Sequence, residues 1–349
     1  MAGEESPTWW LFHVDLDQFL AAVEIRRRPE LAGQAVVVGG DGDPTRARQV
    51  VATATYEARA LGVHSGMPLR AALRKAPEAI FLPSDRPVYE AASAEVMDVL
   101  RSFRHPVEVW GWDEAFLGAD VEDPFVLADE IRARVRERTR LSCAVGIGDT
   151  KERAKMATSF GKPGGVFRLS RDNWWEVMGA RPARDLWGIG SRTAAKLADH
   201  GIATIADLGH ADEQALAGWF GPTIGPGLRQ LARGGASRTI TTEPWVRRSL
   251  SKQVTYPADL RTREEVSTAV LALVDDVQAL LLEEGRVATH VGVTVRTATF
   301  FTRTKTAKLA APTTDLAALR ERAQVVLERF ELDRPVRLLG VRFDLADPG

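Results

Sequence analysis

The feature that most constrains this chain is a pair of adjacent carboxylates, Asp113 and Glu114, inside the otherwise apolar residues 107–117. The apolar side chains on both sides indicate a mostly buried strand. An ionised carboxylate left unpaired in an apolar interior is costly, so it normally contacts a cation or a metal ion. Neighbouring strand residues point to opposite faces, so the two acids can share a site only at a strand end or a bend. Gly111 offers such a bend, and the stretch therefore predicts a cation site there.

A second apolar stretch, residues 11–19, is interrupted in the same way by Asp15 and Asp17. Hard divalent cations prefer oxygen ligands. Two such cations about 4 Å apart are a common device for in-line displacement at phosphorus. We therefore expect the two acidic strands to lie side by side and to hold a pair of metal ions.

The length of 349 residues predicts two to three domains rather than one core. A hydrophobic content of 45% and a charged content of 27% are typical of globular proteins. Because the formal net charge is only -1, a nucleic-acid surface would have to come from segregated basic residues. The single cysteine, Cys143, cannot form an internal disulfide and is interpreted as a small buried hydrophobic residue.

The ends of the chain and its apolar runs bear on location. Residues 1–7 are acidic and lack the apolar region of a signal peptide. No uninterrupted apolar stretch reaches the roughly 20 residues that a membrane-spanning helix needs. We therefore expect a cytoplasmic protein without a membrane partner.

Hydrophobic periodicity alternates between strand and helix over the first half of the chain. Strands are predicted at residues 8–18, 34–40, 50–54, 107–117 and 142–148, and helices at residues 18–28, 55–59, 69–75, 88–103 and 124–139. This order, with the acids on two of the strands, favours a mixed α/β catalytic core.

From about residue 170 the pattern becomes helical, with a Gly-apolar-Gly turn at Gly188-Ile189-Gly190. Such a turn lets the backbone approach a phosphate, while the N–H groups of the next helix point at it. With Arg192 in that helix, the segment is typical of a helix-hairpin-helix, which holds DNA without reading its sequence.

Residues 229–252 form a basic segment, in which the only acid is Glu243; its cations are Arg229, Arg233, Arg238, Arg247, Arg248 and Lys252. Two interpretations stay open for this tether. It is either a solvated loop or a basic arm that follows phosphates.

The end of the chain has a β-α-β-β-α-β order that is typical of one small separate domain. The predicted strands are residues 249–256, 287–297, 300–309 and 336–344, and the predicted helices are residues 262–284 and 314–330. Strand alternation places Arg303 and Lys305 on the same face, where they suit phosphate contact.

Six motifs, in this order along nearly the whole chain, resemble a Y-family translesion DNA polymerase of the DinB (DNA polymerase IV) type. They are His13-Val14-Asp15-Leu16-Asp17-Gln18-Phe19, Ala54-Thr55-Tyr56-Glu57-Ala58-Arg59, Trp112-Asp113-Glu114-Ala115-Phe116, Gly161-Lys162-Pro163-Gly164-Gly165, the hairpin turn, and Arg337-Leu338-Leu339-Gly340-Val341-Arg342-Phe343. The resemblance implies an α+β multidomain right-hand fold with a ferredoxin-like palm, small fingers, a helical thumb with the helix-hairpin-helix, and a βαββαβ little finger. The implied boundaries are residues 8–18 and 84–169 for the palm, 19–83 for the fingers, 170–234 for the thumb, 235–246 for a basic linker and 247–345 for the little finger.

The resemblance also implies site residues. The metal carboxylates are Asp15, Asp113 and Glu114, joined by the backbone carbonyl of Leu16, and they would hold two divalent ions, Mg²⁺ or Mn²⁺. The residues around the incoming nucleotide are Phe19, Leu20, Thr53, Tyr56, Arg59 and Lys162. The DNA contacts are Gly188, Gly190, Arg192, Lys252, Arg296, Arg303 and Lys305. Asp17 is interpreted as structural, and His13 as a core imidazole.

The implied reaction is template-directed nucleotidyl transfer without proofreading, by a monomer that binds primer–template DNA and an incoming dNTP or rNTP. Two other classes of protein share parts of this pattern. A nucleotide cyclase uses paired acids on a palm-like sheet, and a catalytically inactive polymerase-like protein binds DNA only. The retained acids argue against the inactive protein, and the hairpin and the basic terminal domain argue against the cyclase.

Several residues depart from the family pattern. Gly111 stands where a serine is usual, Trp112 where an aliphatic residue is usual, and Trp187 where a small residue or proline is common. Leu20 replaces the usual Tyr or Phe that clashes with a ribose 2′-OH, which predicts tolerance of ribonucleotides. Residues 343–349 contain no peptide of the kind that docks on the sliding clamp, which puts clamp binding in doubt.

Overall fold

The computed structural model describes residues 8–243 and 245–347. The chain divides into two compact units, Met1–Pro44 with Val50–Glu243 and Thr45–Gln49 with Pro244–Gly349. The predicted acidic start at residues 1–7, Pro244 of the predicted linker and the last two residues of the predicted tail lie outside the described residues. The finer division into palm, fingers, thumb and little finger stays a prediction.

The strands of the described residues, numbered in chain order, are β1 (Trp9–Leu16), β2 (Val36–Val38), β3 (Thr53–Ala54), β4 (Ile80–Leu82), β5 (Val107–Val109), β6 (Glu114–Asp120), β7 (Cys143–Gly148), β8 (Val166–Leu169), β9 (Ser249–Leu260), β10 (Ala288–Thr297), β11 (Thr302–Thr313) and β12 (Val336–Leu345).

The helices, numbered in the same way, are α1 (Phe19–Arg27), α2 (Tyr56–Ala60), α3 (Leu69–Lys75), α4 (Arg86–Arg101), α5 (Pro124–Thr139), α6 (Lys151–Gly161), α7 (Trp174–Met178), α8 (Ser191–Asp199), α9 (Ile205–His210), α10 (Glu213–Phe220), α11 (Ile224–Ala232), α12 (Arg263–Glu283) and α13 (Leu316–Glu328). None of these helices is both long and apolar enough to cross a membrane.

The first unit is built on a five-stranded sheet in the order β5-β6-β1-β7-β8, with β1 at its centre. β1 runs antiparallel to both of its neighbours, β6 and β7. Alternate residues of β1 therefore face opposite sides. Phe12 and Val14 pack with α4 and α5 in the main core, whereas Leu11 packs with Ala154 of α6 on the other face. This arrangement confirms that the two acidic stretches lie side by side.

The prediction of one strand over residues 107–117 was wrong. The segment is a hairpin in which β5 pairs with β6. The backbone N–H groups of Trp110 and Gly111 both donate to the carbonyl of Glu114, at 3.1 and 3.2 Å, and these bonds close the turn. Asp113 and Glu114 therefore sit at the turn, which is the bend that their shared site required.

Two smaller parts complete the first unit. A sheet in the order β3-β2-β4 packs with α2 and α3 around its own apolar cluster. Helices α7 to α11 enclose a separate cluster that includes Trp174, Leu197 and Leu216. The described residues thus show the predicted change from mixed to helical structure near residue 170.

The basic segment does not begin as a tether, contrary to the interpretation of residues 229–252. Its first residues form the last turn of α11, and Arg229 pairs with Glu213 at 3.1 Å. Farther on, the carbonyl of Ser237 accepts from the N–H of Lys151 at 2.8 Å, and Glu108 accepts from the N–H of Thr241 at 2.6 Å. Residues 234–241 are therefore held to the start of α6 and to β5 by hydrogen bonds.

The second unit confirms the predicted β-α-β-β-α-β order. Its antiparallel sheet has the order β11-β10-β12-β9. α12 and α13 pack on one face of that sheet around a core that includes Val293, Val341 and Leu319. The opposite face, which we call the open face, carries Thr294, Arg296, Thr304 and Arg342.

Candidate active site

The three predicted metal carboxylates lie where β1 ends beside the β5–β6 turn, and the structure brings Asp15 and Glu114, but not Asp113, into one group of potential metal ligands. Asp15 is paired across the sheet with Glu114, the first residue of β6. The N–H of Leu16 donates to the carbonyl of Asp113 at 2.9 Å, which fixes the turn against the end of β1. The sheet register therefore brings both acidic motifs to one place.

The donor atoms at this place suit a divalent cation. One ligand atom each from His13, Asp15 and Glu114 lies within 4.8 Å of the others. The pKa of Asp113 is raised, first by burial and then by the negative charge of Asp15. Crowded carboxylates that repel one another are stabilised by a hard cation, and oxygen donors are what Mg²⁺ and Mn²⁺ prefer.

Two lysines already contact these carboxylates. The ammonium of Lys162, which follows α6, lies 2.5 Å from an oxygen of Asp15. The ammonium of Lys155 on α6 contacts Glu114. The ring of His13, which is fully buried, approaches the same carboxylate with Nε2 at 3.2 Å. The two ammonium groups and the polar His13 ring balance part of the negative charge of the site.

The neighbours of Glu114 explain its acidity. The hydrogen bond from His13, and then Lys155, lower the pKa of Glu114 to about 2, although burial acts in the opposite direction. Burial also lowers the pKa of His13. Because a carboxylate only accepts hydrogen bonds, the neutral ring donates through Nε2, and Nδ1 lies 2.8 Å from Thr158. The predicted core imidazole thus also lines the site.

Opposite effects on stability are expected from neutralising the two adjacent acids. Asp113→Asn should raise the melting temperature of the metal-free protein at pH 7, because a raised pKa means that folding disfavours the ionised form. Glu114→Gln should lower it, because the depressed pKa supplies stability at every pH above the ordinary value of 4.5 and loses it towards pH 2. Thermal melts in EDTA measure both effects.

The pH dependence is the control for that comparison. The difference between Asp113→Asn and the unchanged protein should fade below the ordinary Asp pKa of 3.8, where the carboxyl is protonated in both the folded and unfolded states. A loss of stability in Asp113→Asn at pH 7 would contradict the repulsion between Asp113 and Asp15.

The residues predicted to hold the triphosphate also lie together. Tyr56 and Arg59 are on α2, and Thr53 is on β3. The Arg59 side chain donates to the carbonyl of Ala54 at 2.9 Å and to the Thr53 hydroxyl at 3.4 Å, and its guanidinium lies 5.4 Å from the centre of the Tyr56 ring. This group offers a cation and two hydroxyls on one surface.

Asp17 connects the predicted triphosphate-binding residues to the five-stranded sheet, which agrees with its interpretation as structural. Its carboxylate accepts from the Tyr56 hydroxyl at 3.0 Å and from the Ser142 hydroxyl at 2.8 Å. Burial, followed by the charge of Asp17, raises the pKa of Tyr56. Tyr56 is therefore a neutral hydrogen-bonding group at physiological pH.

Phe19 and Leu20 form the first turn of α1, which begins two residues after Asp17. Phe19 is buried, and Leu20 is partly buried against the same core. The side chain of Gln18 accepts from the N–H of Tyr56 at 2.7 Å. The start of α1 is thus fixed beside the residues predicted to bind the nucleotide.

Trp187, one of the departures from the family pattern, forms an aromatic surface with Trp110 next to the acids. Trp110 lies 5.3 Å from Trp187, and the Lys155 ammonium lies 5.9 and 5.6 Å from their ring centres. Trp112 is exposed to a similar extent and lies under Arg86, at 5.3 Å. A Cβ at Gly111 would make only ordinary contacts, at 3.5 Å with Asp113 and 3.6 Å with Glu114, so the glycine is not required by crowding.

Sequence reasoning missed Lys155, Ser142 and Trp110 as neighbours of the site. A signal for Lys155 existed, because Lys151 and Lys155 are four residues apart and share a face of α6. No comparable signal existed for Ser142, since its contact with Asp17 depends on the pairing of β1 with β7.

The hairpin turn has the expected geometry. Gly188 has φ +92°, a conformation that favours glycine, and Gly190 directly precedes α8. Arg192 is exposed in the first turn of that helix. Free N–H groups of a helix start and an exposed arginine thus follow the turn, as a phosphate contact requires.

The predicted DNA contacts of the second unit are divided between the two faces of its sheet. Arg303 and Lys305 do share a face, but they pair with Val295 and Val293, which point towards the helices. The Lys305 ammonium donates to the carbonyl of Arg329. Lys252 is on the same covered face and pairs with Asp276 at 2.9 Å. Only Arg296 is on the open face, so the structure separates it from the other three.

Comparisons with known proteins agree with these features. The model of the impB/mucB/samB family matches residues 14–159, and the model of that family's C-terminal domain matches residues 247–347. DNA polymerase IV 2 of Mycobacterium tuberculosis is 51% identical over 340 residues, which cover 97% of this chain and 98% of that protein. DNA polymerase IV of Methanoculleus marisnigri is 35% identical, with 97% and 95% covered.

Solved structures with the same fold cover almost the entire chain. A Y-family DNA polymerase chimera superposes with a TM-score of 0.84 at 27% identity, covering 96% of this chain and 98% of that one. The insertion ternary complex of Dbh DNA polymerase superposes with a TM-score of 0.65 at 26% identity, with the same two shares covered. The similarity therefore extends over both compact units.

Proposed function

The chain belongs to the impB/mucB/samB family, and we propose that it is a DNA-directed DNA polymerase of the translesion type. It has the Y-family polymerase fold, with a palm-like sheet and a C-terminal domain of antiparallel sheet. The observation that carries the proposal is the meeting of Asp15, Asp113 and Glu114 at the end of β1, beside Lys162.

The proposed reaction is nucleotidyl transfer. The primer 3′-hydroxyl loses its proton to solvent, and its oxygen forms a bond to the α-phosphorus of the incoming nucleotide. The bond from that phosphorus to the oxygen that bridges it to the β-phosphorus breaks, and pyrophosphate leaves. Asp15, Asp113, Glu114 and the carbonyl of Leu16 would hold two divalent cations. Bound cations supply charge neutralisation at the attacking and leaving oxygens.

The other side chains of the site position the nucleotide. Arg59 and Lys162 offer positive charge to the phosphates, and the Thr53 hydroxyl, which accepts from Arg59, can donate a hydrogen bond to them. The Tyr56 hydroxyl donates to Asp17 in this structure, so it would have to leave Asp17 in order to donate to a phosphate oxygen. Lys162 lies on Asp15 in this structure, so binding of cations and triphosphate would free its ammonium for the phosphates.

Two finer features are part of the proposal. Synthesis without proofreading is proposed from the sequence, in which no exonuclease-like acidic set accompanies the polymerase motifs. Leu20 supports tolerance of ribonucleotides, since a leucine replaces the aromatic ring that usually clashes with the 2′-OH.

Primer extension on a primer–template with Mg²⁺ or Mn²⁺ tests the proposed function. We expect stepwise extension that copies the template. Binding of the DNA without extension would indicate the inactive polymerase-like protein, and cyclisation of a nucleoside triphosphate would indicate a cyclase.

The open face of the second unit is the better candidate for phosphate contact. Arg296 and Arg342 project from it among several threonines, whereas Arg303 and Lys305 are on the helix-covered face. Arg296→Ala with Arg342→Ala should weaken primer–template binding at every sequence. The slope of the logarithm of the binding constant against the logarithm of the salt concentration should become shallower by about two, since each phosphate contact contributes roughly 0.9.

The matched control is Arg303→Ala with Lys305→Ala, which removes the same number of charges from the other face. Its salt dependence, measured by fluorescence anisotropy at several salt concentrations, should stay near that of the unchanged protein. A larger loss in the control than in the open-face variant would place the DNA on the side of the helices.

A further inference from the structure

A basic cavity lies behind the proposed nucleotide site and is not used by the reaction described above. A cavity of about 400 Å³ lies between α5 and residues 163–164, and a second of about 350 Å³ lies beside α1. Both are lined by Arg136 and Ser142, so they adjoin one another. Arg26, Arg132 and Arg140 complete a lining with four arginines.

The charges of this lining are not balanced. Four arginines line it beside two carboxylates, Asp17 and Asp129. Arg132 pairs with Asp129 at 2.6 Å, and Arg26 pairs with Glu95 at 2.7 Å. Among the residues that the structure describes, neither Arg136 nor Arg140 has a carboxylate within salt-bridge distance. The Nε of Arg132 is buried and donates to no acceptor in the described part of the chain. The cavity therefore presents positive charge and an unused donor.

The spacing of these arginines reduces the stability of α5. Arg132, Arg136 and Arg140 follow one another at intervals of four, so they lie on one side of α5 and at its end. Like charges at this spacing destabilise a helix. Cations in the last turn of a helix do interact favourably with its negative end. Arg138 is placed equally well for that interaction, yet it lines a different cavity together with Glu95 and Glu137. The helix end alone therefore does not account for the convergence.

The cavity shares a wall with the proposed nucleotide site. Asp17 and Ser142 form that wall, and Tyr56 contacts Asp17 from the opposite side. Pro163 and Gly164, which directly follow Lys162, line the cavity itself. The loop that carries one phosphate-binding residue thus borders both places.

We propose that this cavity binds a diphosphate anion, held by Arg136 and Arg140 with Arg132. The source that the chemistry supplies is the pyrophosphate released by nucleotidyl transfer, and this source rests on the proposed function. The diphosphate portion of a free nucleotide has the same chemistry. Guanidinium groups match it because they donate paired hydrogen bonds to phosphate oxygens.

Calorimetric titration of the full chain with pyrophosphate, without DNA or metal, tests the site directly. The unchanged protein should bind pyrophosphate. Arg136→Gln with Arg140→Gln should bind it at least about tenfold more weakly, because the variant loses two positive charges and the strong charge-assisted hydrogen bonds that they make. Arg138→Gln, in the same turn of α5, should bind it as the unchanged protein does.

Separate titrations distinguish the sources. Orthophosphate should bind more weakly than pyrophosphate, since it reaches fewer guanidinium groups. If dATP binds as tightly as pyrophosphate and the double variant loses both equally, the site takes nucleotides and the assignment to the product is overturned. Equal weakening by Arg138→Gln, or no weakening by the double variant, would overturn the site itself. Thermal melts separate loss of charge from loss of folding. Arg136→Lys with Arg140→Lys keeps the charges without the paired donors, and it should bind pyrophosphate more tightly than the glutamine double variant does.

Inhibition of primer extension by added pyrophosphate links the site to the reaction. Each variant's extension rate is compared with its own rate without pyrophosphate. The pyrophosphate concentration that halves this rate should be several-fold higher for the double variant than for Arg138→Gln. If the chain extends no primer, the proposed function fails while the titration still decides whether the anion site exists. If extension occurs and inhibition is the same in both variants, the cavity does not take the product.

Discussion

Replacing Asp113 and Glu114 together with alanine should abolish primer extension, to below about a hundredth of the unchanged rate. Asp15 and Glu114 are paired at the end of β1, and Asp113 directly precedes Glu114. Within the described residues, His13, Asp15 and Glu114 are the one group of three potential metal ligands. Removing charge stabilisation from a transition state costs at least about a hundredfold for a single group, and here two groups are lost at once. Rapid-quench measurement of single-nucleotide insertion gives the rate.

Binding of the primer–template is the control that separates chemistry from folding and docking. It should be nearly unchanged, because the proposed phosphate contacts are in the hairpin turn and on the open face. Asp120→Ala with Glu122→Ala is the matched variant, since Asp120 is at the exposed far end of β6. That variant should extend primers normally. Residual synthesis above a few per cent in the Asp113 and Glu114 variant would contradict the assignment.

Leu20→Tyr should sharply restore discrimination against ribonucleotides. Leu20 is partly buried in the first turn of α1, two residues after Gln18, whose side chain holds the N–H of Tyr56. An apolar pocket with spare room rejects an added hydroxyl by only about a hundredfold at best. A tyrosine ring extends several ångströms farther than a leucine and would exclude the 2′-OH by contact. The ratio of kcat/KM for dNTP and rNTP should rise at least about tenfold.

Leu20→Met is the matched control, because it conserves volume and polarity without adding a ring. Its ratio should stay near that of the unchanged protein. A ratio already above about 10⁴ in the unchanged protein, some 5 kcal/mol of discrimination, would show that another residue guards the sugar.

The acidic motifs correctly predicted that the two strands of the site are neighbours. A buried carboxylate without a partner is costly, so two acidic stretches in apolar surroundings are expected to share a cation. The hairpin at residues 110–113 was not predicted. Its closure depends on the N–H groups of Trp110 and Gly111 reaching the carbonyl of Glu114, and apolar patterning gives no sign of this turn. One continuous strand and two short strands joined by a four-residue loop look alike in the apolar pattern of such a sequence.

Strand alternation correctly placed Arg303 and Lys305 on one face, but it could not say which face the helices cover. Coverage depends on how α12 and α13 pack, which is a tertiary property. The same limit applies to His13 and Lys155, which reach Glu114 from β1 and α6. Residues joined only by packing leave no spacing signal in the chain.

Single-nucleotide insertion opposite each of the four template bases, with Mg²⁺ and each dNTP supplied alone, tests template-directed synthesis most directly. We expect the complementary nucleotide to be added fastest opposite every template base, and the Asp113 and Glu114 double variant to add none. Addition of the same nucleotide whatever the template base, or no addition by the unchanged protein with Mg²⁺ or Mn²⁺, would contradict the proposed function.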